Sequence, residues 1–266
     1  MKILVINPGA TSTKIAVFDG ENEIFRSSVE HAAQDLAHFE HVADQMPYRK
    51  ALILKALDEG GVSLSSLDAI CGRGGLLRHI PSGTYLVTDR VIEDILHPFY
   101  GEHAANLGAY IARELADPLG IPAFFVDPVC VDELTELARV SGLKGIERES
   151  FFHALNQKSV ARKTAKALGK AYEDVNLIVL HLGGGVSVAA HEKGRVVDNY
   201  TVKDDGSMGL DRPGALPVNA VVNLCFSGKT KKEIKKLIGS EAGVYSYLGT
   251  KDFREIERRA FSGDAE

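Results

Sequence analysis

Cysteine is scarce: the 266 residues hold three, Cys71, Cys130 and Cys225. Odd in number and widely scattered, they exclude a disulfide framework and a zinc cluster, and they predict a reducing compartment. Long apolar runs are missing as well. The stretch 1–6 breaks at Asn7-Pro8-Gly9, too soon for a signal-peptide core, and no later run matches the thickness of a bilayer. A cytoplasmic protein without a membrane partner is expected. Positive charge is not in excess either: 31 basic residues against 36 acidic ones leave a net charge of -5, which offers no broad field to nucleic acid. What is present is an ordinary globular composition, 45% hydrophobic and 25% charged, which excludes disorder, collagen and a membrane bundle. At about 100–200 residues per domain, the length favours two domains.

The pattern of the first half alternates strand and helix. Residues 3–6 read as a buried strand, Pro8-Gly9 as a turn, 14–18 as the returning strand and 23–29 as a third. A helix over 48–57 stops at Gly60-Gly61; strand 67–71, helix 89–96, helix 104–115 and strand 123–126 follow. A second cycle begins near Ser150, with a helix over 154–168 closed by Gly169. Strands over 177–182, 186–191 and 196–200 come next, turning at Gly183-Gly184-Gly185 and at Gly194. Both halves carry a glycine-marked strand-turn-strand, which predicts an α/β protein with an internal structural duplication: domains over 1–150 and 151–266. Near the end, Thr230 and Glu233 fit a capping box ahead of Ile234, Leu237 and Ile238, and 250–261 has the spacing of an amphipathic helix. The lysines of 229–236 read as the solvated face of the first of these helices.

Several residues are suited to anions. Asn7-Pro8-Gly9-Ala10-Thr11-Ser12-Thr13-Lys14 gathers glycine, three hydroxyls and a cation in a turn between strands, where N–H groups and hydroxyls can surround phosphoryl oxygens. It lacks P-loop spacing and precedes a strand, so a plain polar hairpin turn is the competing reading. His181-Leu182-Gly183-Gly184-Gly185 is sharper, because three glycines exceed the needs of a tight turn and permit an anion to approach backbone closely; a bulge is the alternative. Arg73, in Gly72-Arg73-Gly74-Gly75, and Arg212, in Asp211-Arg212-Pro213-Gly214, offer forked grips on carboxylate or phosphate, unless they are merely solvated. His103 and His153 each stand at a helix start, as donors to a substrate oxygen or as structural histidines. Asp127 ends an apolar strand, in the place of a carboxylate near magnesium or of an Asx turn before Pro128.

Taken in order, five segments resemble the butyrate kinases of the acetate kinase-like acyl kinase family, in the superfamily of sugar kinases, heat-shock 70 proteins and actin. They are Leu4 to Lys14, Gly72-Arg73-Gly74-Gly75, His103 to Leu107, Phe152 to Gln157 and His181 to Gly185. In acetate and propionate kinases the histidine matching His153 is typically followed by glycine and, a few residues on, by a second histidine; Gln157 stands in that later place here. The resemblance implies two ribonuclease H-like (actin-like ATPase) domains. It implies reversible transfer of the ATP γ-phosphoryl to butyrate or a similar short-chain carboxylate, giving an acyl phosphate and ADP with Mg. It further implies that Asn7, Thr11, Ser12, Thr13 and Lys14 face the phosphoryl group, and that His181, Gly183, Gly184 and Gly185 receive the nucleotide. Arg73, His153 and Arg212 would be catalytic, Arg73 and His103 would meet the acyl substrate, and Asn7 and Asp127 would place magnesium.

Members of that family continue past the point where this chain stops, so the resemblance also implies an incomplete second domain, with uncovered apolar faces and a homo-oligomer as one way to cover them. Two alternatives follow. One is a catalytically inactive remnant acting as a binding protein. The other is a sugar kinase, though those usually carry aspartate where Asn7 stands.

Overall fold

In the computed structural model, which describes residues 1–203 and 205–264, the chain divides into two compact units, Met1–Val131 and Asp132–Glu266. The first is built on β1 (Lys2–Pro8), whose Leu4 and Ile6 are fully buried. β2 (Ser12–Asp19) and β3 (Asn22–Glu30) continue from it as an antiparallel meander. On the other side of β1 lie, in parallel, β4 (Ala69–Arg73) and then β6 (Ala123–Val126), with β5 (Thr84–Leu86) antiparallel at the edge. The sheet order is therefore β3-β2-β1-β4-β6-β5. β5 is a strand the sequence pattern does not reveal, since three residues with no buried member carry no period.

Helices cover this sheet. After the short α1 (Ala33–Leu36) come α2 (Met46–Glu59), α3 (Asp89–Leu96) and α4 (Asn106–Ala116). α4 buries Leu107, Ile111 and Leu115 at helical spacing, as the pattern predicts, but starts two residues later than expected because 103–105 form a turn, with Asn106 N–H donating to His103 O at 2.9 Å.

The second unit contains α5 (Ala154–Ala167) and a meander of β7 (Asn176–His181), β8 (Ser187–Glu192) and β9 (Arg195–Tyr200), repeating the order and direction of β1-β2-β3. Ala161 and Ala165 of α5 pack with Tyr172, Val175 and Val179 in one buried cluster of this unit. Residues 132–150, which the sequence boundary near 150 leaves with the first domain, are tied to this unit. Thr135 N–H donates to Val197 O at 3.1 Å, and Arg148 donates to Asp198 at 2.9 Å and Asp205 at 3.0 Å. The chain continues through α6 (Val218–Cys225), α7 (Lys231–Ser240), α8 (Tyr245–Leu248) and α9 (Phe253–Phe261). α7 opens on the expected capping box, with Thr230 and Glu233 exchanging both bonds. α6 is absent from the sequence expectations although Val218, Val221 and Val222 fall at helical spacing, and none of its residues is buried. Among the described residues, no helix is long and apolar enough to cross a membrane.

Candidate active site

Three parallel strands of the first unit end side by side. Ile6 pairs with Gly72, and Arg73 pairs with Val126. Asn7, Arg73 and Asp127 therefore fall at adjacent carboxyl ends, the edge where open α/β sheets receive ligands. Arg73 Nη1 donates to Asn7 Oδ1 at 3.3 Å. Burial lowers the Arg73 pKa without removing its charge, and a cation partly withdrawn from water acts more strongly on an oxyanion. The glycines around it serve packing. A Cβ on Gly72 would collide with the Gly108 carbonyl, and one on Gly75 with Asn106 Oδ1. Without those carbons α4 closes on β4, and Asn106 Oδ1 accepts the Leu76 N–H at 2.8 Å.

The turn between β1 and β2 is held from beneath. Gly9 N–H donates to Ser12 O at 2.7 Å, while Asn7, Thr11 and Lys14 are exposed and Ser12 is half-buried. Thr13 differs from its neighbours: the period of two in β2 turns it inward with Ile15 and Val17, and its Oγ1 bonds to His31 Nε2 at 2.8 Å. Arg49, 1% exposed in α2, reaches under the turn. Its Nη1 donates to Gly9 O at 2.8 Å and Thr13 Oγ1 at 3.2 Å, its Nη2 donates to Ala10 O at 3.0 Å, and Gln45 Oε1 accepts from the same guanidinium. Burial lowers the Arg49 pKa. Burial first, and then Arg49, push His31 down to about 4, so the ring is neutral at pH 7. Sequence reasoning missed Arg49, although a signal was present: a cation on the apolar stripe Met46, Ile53, Leu57.

His103 is exposed in the turn before α4, and its Nδ1 accepts the Ala105 N–H at 3.1 Å, which leaves the proton of the neutral ring on Nε2. Asp127 is 2% exposed, with a backbone φ of 38° that aspartate tolerates better than most residues. Its Oδ1 accepts from Ser82 Oγ at 2.6 Å and Gly83 N–H at 2.9 Å, tying that loop to the end of β6. Among the described residues, no group of three His, Cys, Asp or Glu side chains is placed to hold a metal ion.

In the second unit the glycine turn after β7 is packed by the Arg212 loop. Gly184 O accepts the Asp211 N–H at 3.4 Å, and Gly209 N–H donates to Arg212 O at 3.0 Å. Gly185 is buried, and a Cβ there would press on Val202 and lie 2.9 Å from Arg212 Nη1. A guanidinium thus stands against a turn with no side chains, where an anion can meet backbone N–H groups and a cation together. Beside it, the His153 and His181 rings stack, with centroids 3.6 Å apart and planes 12° from parallel. His153 Nδ1 lies 2.8 Å from Ser187 Oγ, and His181 Nδ1 lies 2.8 Å from Asn156 Oδ1.

The first unit has the ribonuclease H-like sheet order, and the second repeats its opening meander; this is the actin-like ATPase fold. Solved structures agree on the fold. Acetate kinase of Porphyromonas gingivalis matches with a TM-score of 0.75 at 23% identity, over 99% of this chain and 74% of that one. A propionate kinase of Francisella tularensis matches with a TM-score of 0.75 at 19% identity, over the same shares. In sequence, residues 139–266 match the acetokinase family model. Butyrate kinase 1 of Clostridium acetobutylicum is 49% identical over 265 residues, 99% of this chain and 75% of that protein. A protein of Listeria monocytogenes described as a probable butyrate kinase is 49% identical over 98% of this chain and 74% of its own length. The chain belongs to the acetokinase family, in its butyrate kinase branch.

Proposed function

We propose that the chain is an ATP-dependent carboxylate kinase that transfers the γ-phosphoryl of ATP reversibly to butyrate or a similar short-chain carboxylate. One observation carries this reading: 49% identity to a butyrate kinase over 99% of the chain. A carboxylate oxygen attacks γ-phosphorus, the bond from phosphorus to the β,γ-bridging oxygen breaks, and acyl phosphate and ADP result. The nucleophile is ionised at neutral pH, so no general base is needed; the barrier lies in bringing anions together and aligning them.

Charge and donors must meet that barrier. We assign Arg73 and Arg212 to the reacting oxyanions, His153 as a donor to the transferring group, and His103 with Arg73 to the acyl substrate. Asn7, Thr11, Ser12 and Lys14 serve the phosphoryl group, and His181 with Gly183, Gly184 and Gly185 serves the ADP phosphates. Thr13, buried between His31 and Arg49, supports the turn rather than touching the phosphoryl group. Magnesium suits a site with few carboxylates, because the ion keeps water and phosphate oxygens for most of its shell. Asn7 and Asp127 are the side chains we assign to it, and its charge would offset that of the phosphates. On this reading the first unit handles the acyl group and the second the nucleotide. An apolar pocket would set chain length, at about 1–3 kcal/mol per methylene. A homo-oligomer in a reducing, cytoplasmic setting completes the proposal. No observation favours the inactive remnant over this reading.

The test is ATP formation from butyryl phosphate and Mg-ADP by the purified chain, with Arg212→Ala as control. Turnover is expected, and it should vanish in the variant while its circular dichroism stays unchanged. A folded chain that turns over no short acyl phosphate would overturn the reading, and an active Arg212→Ala would remove Arg212 from the site.

A further inference from the structure

Behind His153 runs a line of buried polar side chains that phosphoryl transfer does not itself require. His153 Nδ1 is 2.8 Å from Ser187 Oγ, which also receives Gln157 Nε2 at 2.9 Å and the His153 backbone N–H at 3.3 Å. Gln157 Nε2 donates to the Ser187 carbonyl too, at 3.1 Å. A carbonyl can only accept, so the amide group facing it is the NH2, and Gln157 Oε1 must be the atom 3.2 Å from His191 Nε2. An amide oxygen also only accepts, so His191 carries its proton on Nε2. His191 Nδ1 is then an acceptor, and the Tyr172 hydroxyl, 2.6 Å away, is its donor.

The serine settles the other end. Ser187 is fully buried, and the His153 N–H and the Gln157 NH2 occupy both lone pairs of its hydroxyl. Its single hydrogen therefore points to the third neighbour, His153 Nδ1. The opposite arrangement would crowd three donors onto two lone pairs and leave a buried hydroxyl hydrogen pointing at them. We propose that Tyr172, His191, Gln157 and Ser187 are positioning residues: a one-directional chain of hydrogen bonds that holds the proton of the His153 ring on Nε2, facing away from the chain and toward the transferring phosphoryl group. The phosphoryl part of this statement rests on the proposed function.

The surroundings favour a neutral relay. His191 is 2% exposed, and burial, then the charge of Lys158, push its pKa down to about 4. Lys158, itself 1% exposed, is held by Glu133 Oε2 at 2.8 Å and Gly194 O at 3.2 Å. His191 can thus stay uncharged near neutral pH, with its proton on Nε2 toward Gln157 Oε1 and Nδ1 accepting from the Tyr172 hydroxyl. Gln157 fits the same logic, since an amide always presents one donor and one acceptor, with no proton to gain or lose.

The measurement is 15N NMR of the full chain labelled at histidine, which separates protonated from unprotonated ring nitrogens, read beside turnover of butyryl phosphate with Mg-ADP. In the parent protein His153 and His191 should both show the Nε2–H tautomer. Ser187→Ala should convert His153 to a mixture of tautomers and lower kcat by roughly tenfold or more, as expected when a histidine loses its orienting partner, with KM little changed. Ser187→Thr, which keeps a hydroxyl, should restore the single tautomer. A parent His153 protonated on Nδ1 would overturn the proposal, as would a tautomer indifferent to Ser187→Ala. If Ser187→Ala does not fold, the parent spectrum still decides, and Tyr172→Phe tests the far end: Gln157 Oε1 still accepts from His191 Nε2, so the Nε2–H tautomer of His191 should persist, and its reversal would overturn the proposal. Expected tautomers in a chain without turnover would support the relay while removing the phosphoryl assignment; the reverse tautomer in an active chain would overturn the relay alone.

Discussion

Arg49 carries more of the first unit's site than its distance from the chemistry suggests. Its guanidinium supplies donors to Gly9 O, Ala10 O, Thr13 Oγ1 and Gln45 Oε1. Arg49→Ala would leave these acceptors without that donor, and a buried unsatisfied group costs roughly 1–3 kcal/mol. We expect a loss of about 3 kcal/mol or more in urea unfolding, with Arg49→Lys recovering little, because a point charge cannot reproduce the fork. Retention of parental stability by either variant would dismiss this account of the turn. The glycine turn of the second unit offers a sharper contrast. Gly185→Ala presses on Val202 and the Arg212 guanidinium, whereas a Cβ on Gly184 meets only Asp211 Oδ1 at 3.6 Å. Titration with ADP should show binding lost in Gly185→Ala and largely kept in Gly184→Ala; equal affinities would mean that the guanidinium's place beside the turn is unimportant.

Among elements, the junction of β4 with α4 and the burial of two histidines have measurable consequences. Gly72→Ala drives a carbon into the backbone of Gly108, so β4 and α4 must separate. Stability should fall by several kcal/mol, and Arg73 should lose its place at the strand end. Thermal unfolding of that variant, compared with Gly142→Ala, whose added carbon meets nothing within 4 Å, checks the claim. His31, just past β3, and His191, on β8, both have pKa values of about 4 against an ordinary 6.5. Between these values the unfolded chain binds more protons than the folded one. Their contribution to stability is thus complete above about pH 6.5, declines as pH falls, and levels off below about 4. His41 opposes this, since Glu102 raises its pKa, but an exposed pair contributes little. Urea midpoints measured from pH 7 to pH 4.5 should drop steadily; a flat profile would show that one or both rings are hydrated.

For the molecule as a whole, the distribution of exposed apolar side chains is uneven. Ile178 and Leu180, on the outer face of β7, are 67% and 55% exposed, and Leu182, Val218, Phe226 and Phe261 add to the second unit's apolar surface. Among the described residues β7 pairs on one edge only, with β8. Exposed edges and patches of this kind promote association. The purified chain should enhance the fluorescence of a hydrophobic dye and self-associate with rising concentration, and Ile178→Lys with Leu180→Lys should reduce both. A monomer that ignores the dye would show those faces to be covered in solution.

Local rules sufficed for much of this. Period-two runs and glycine turns marked both meanders; helical spacing marked α2, α3 and α5; and Thr230 with Glu233 marked the start of α7. The segments we assign to anions stood out because five segments in one order are far more specific than one. Partnership was not legible. The grouping of Thr13 with its neighbours treated four side chains alike, yet β2 turns that one inward. Arg49 and Ser187 drew no notice, because a cation under a turn and a serine directing a histidine are defined by what lies beside them in space. Burial, hydrogen-bond direction and the tautomer of a ring depend on residues tens of positions apart, and only the folded chain brings those residues within hydrogen-bonding distance of one another.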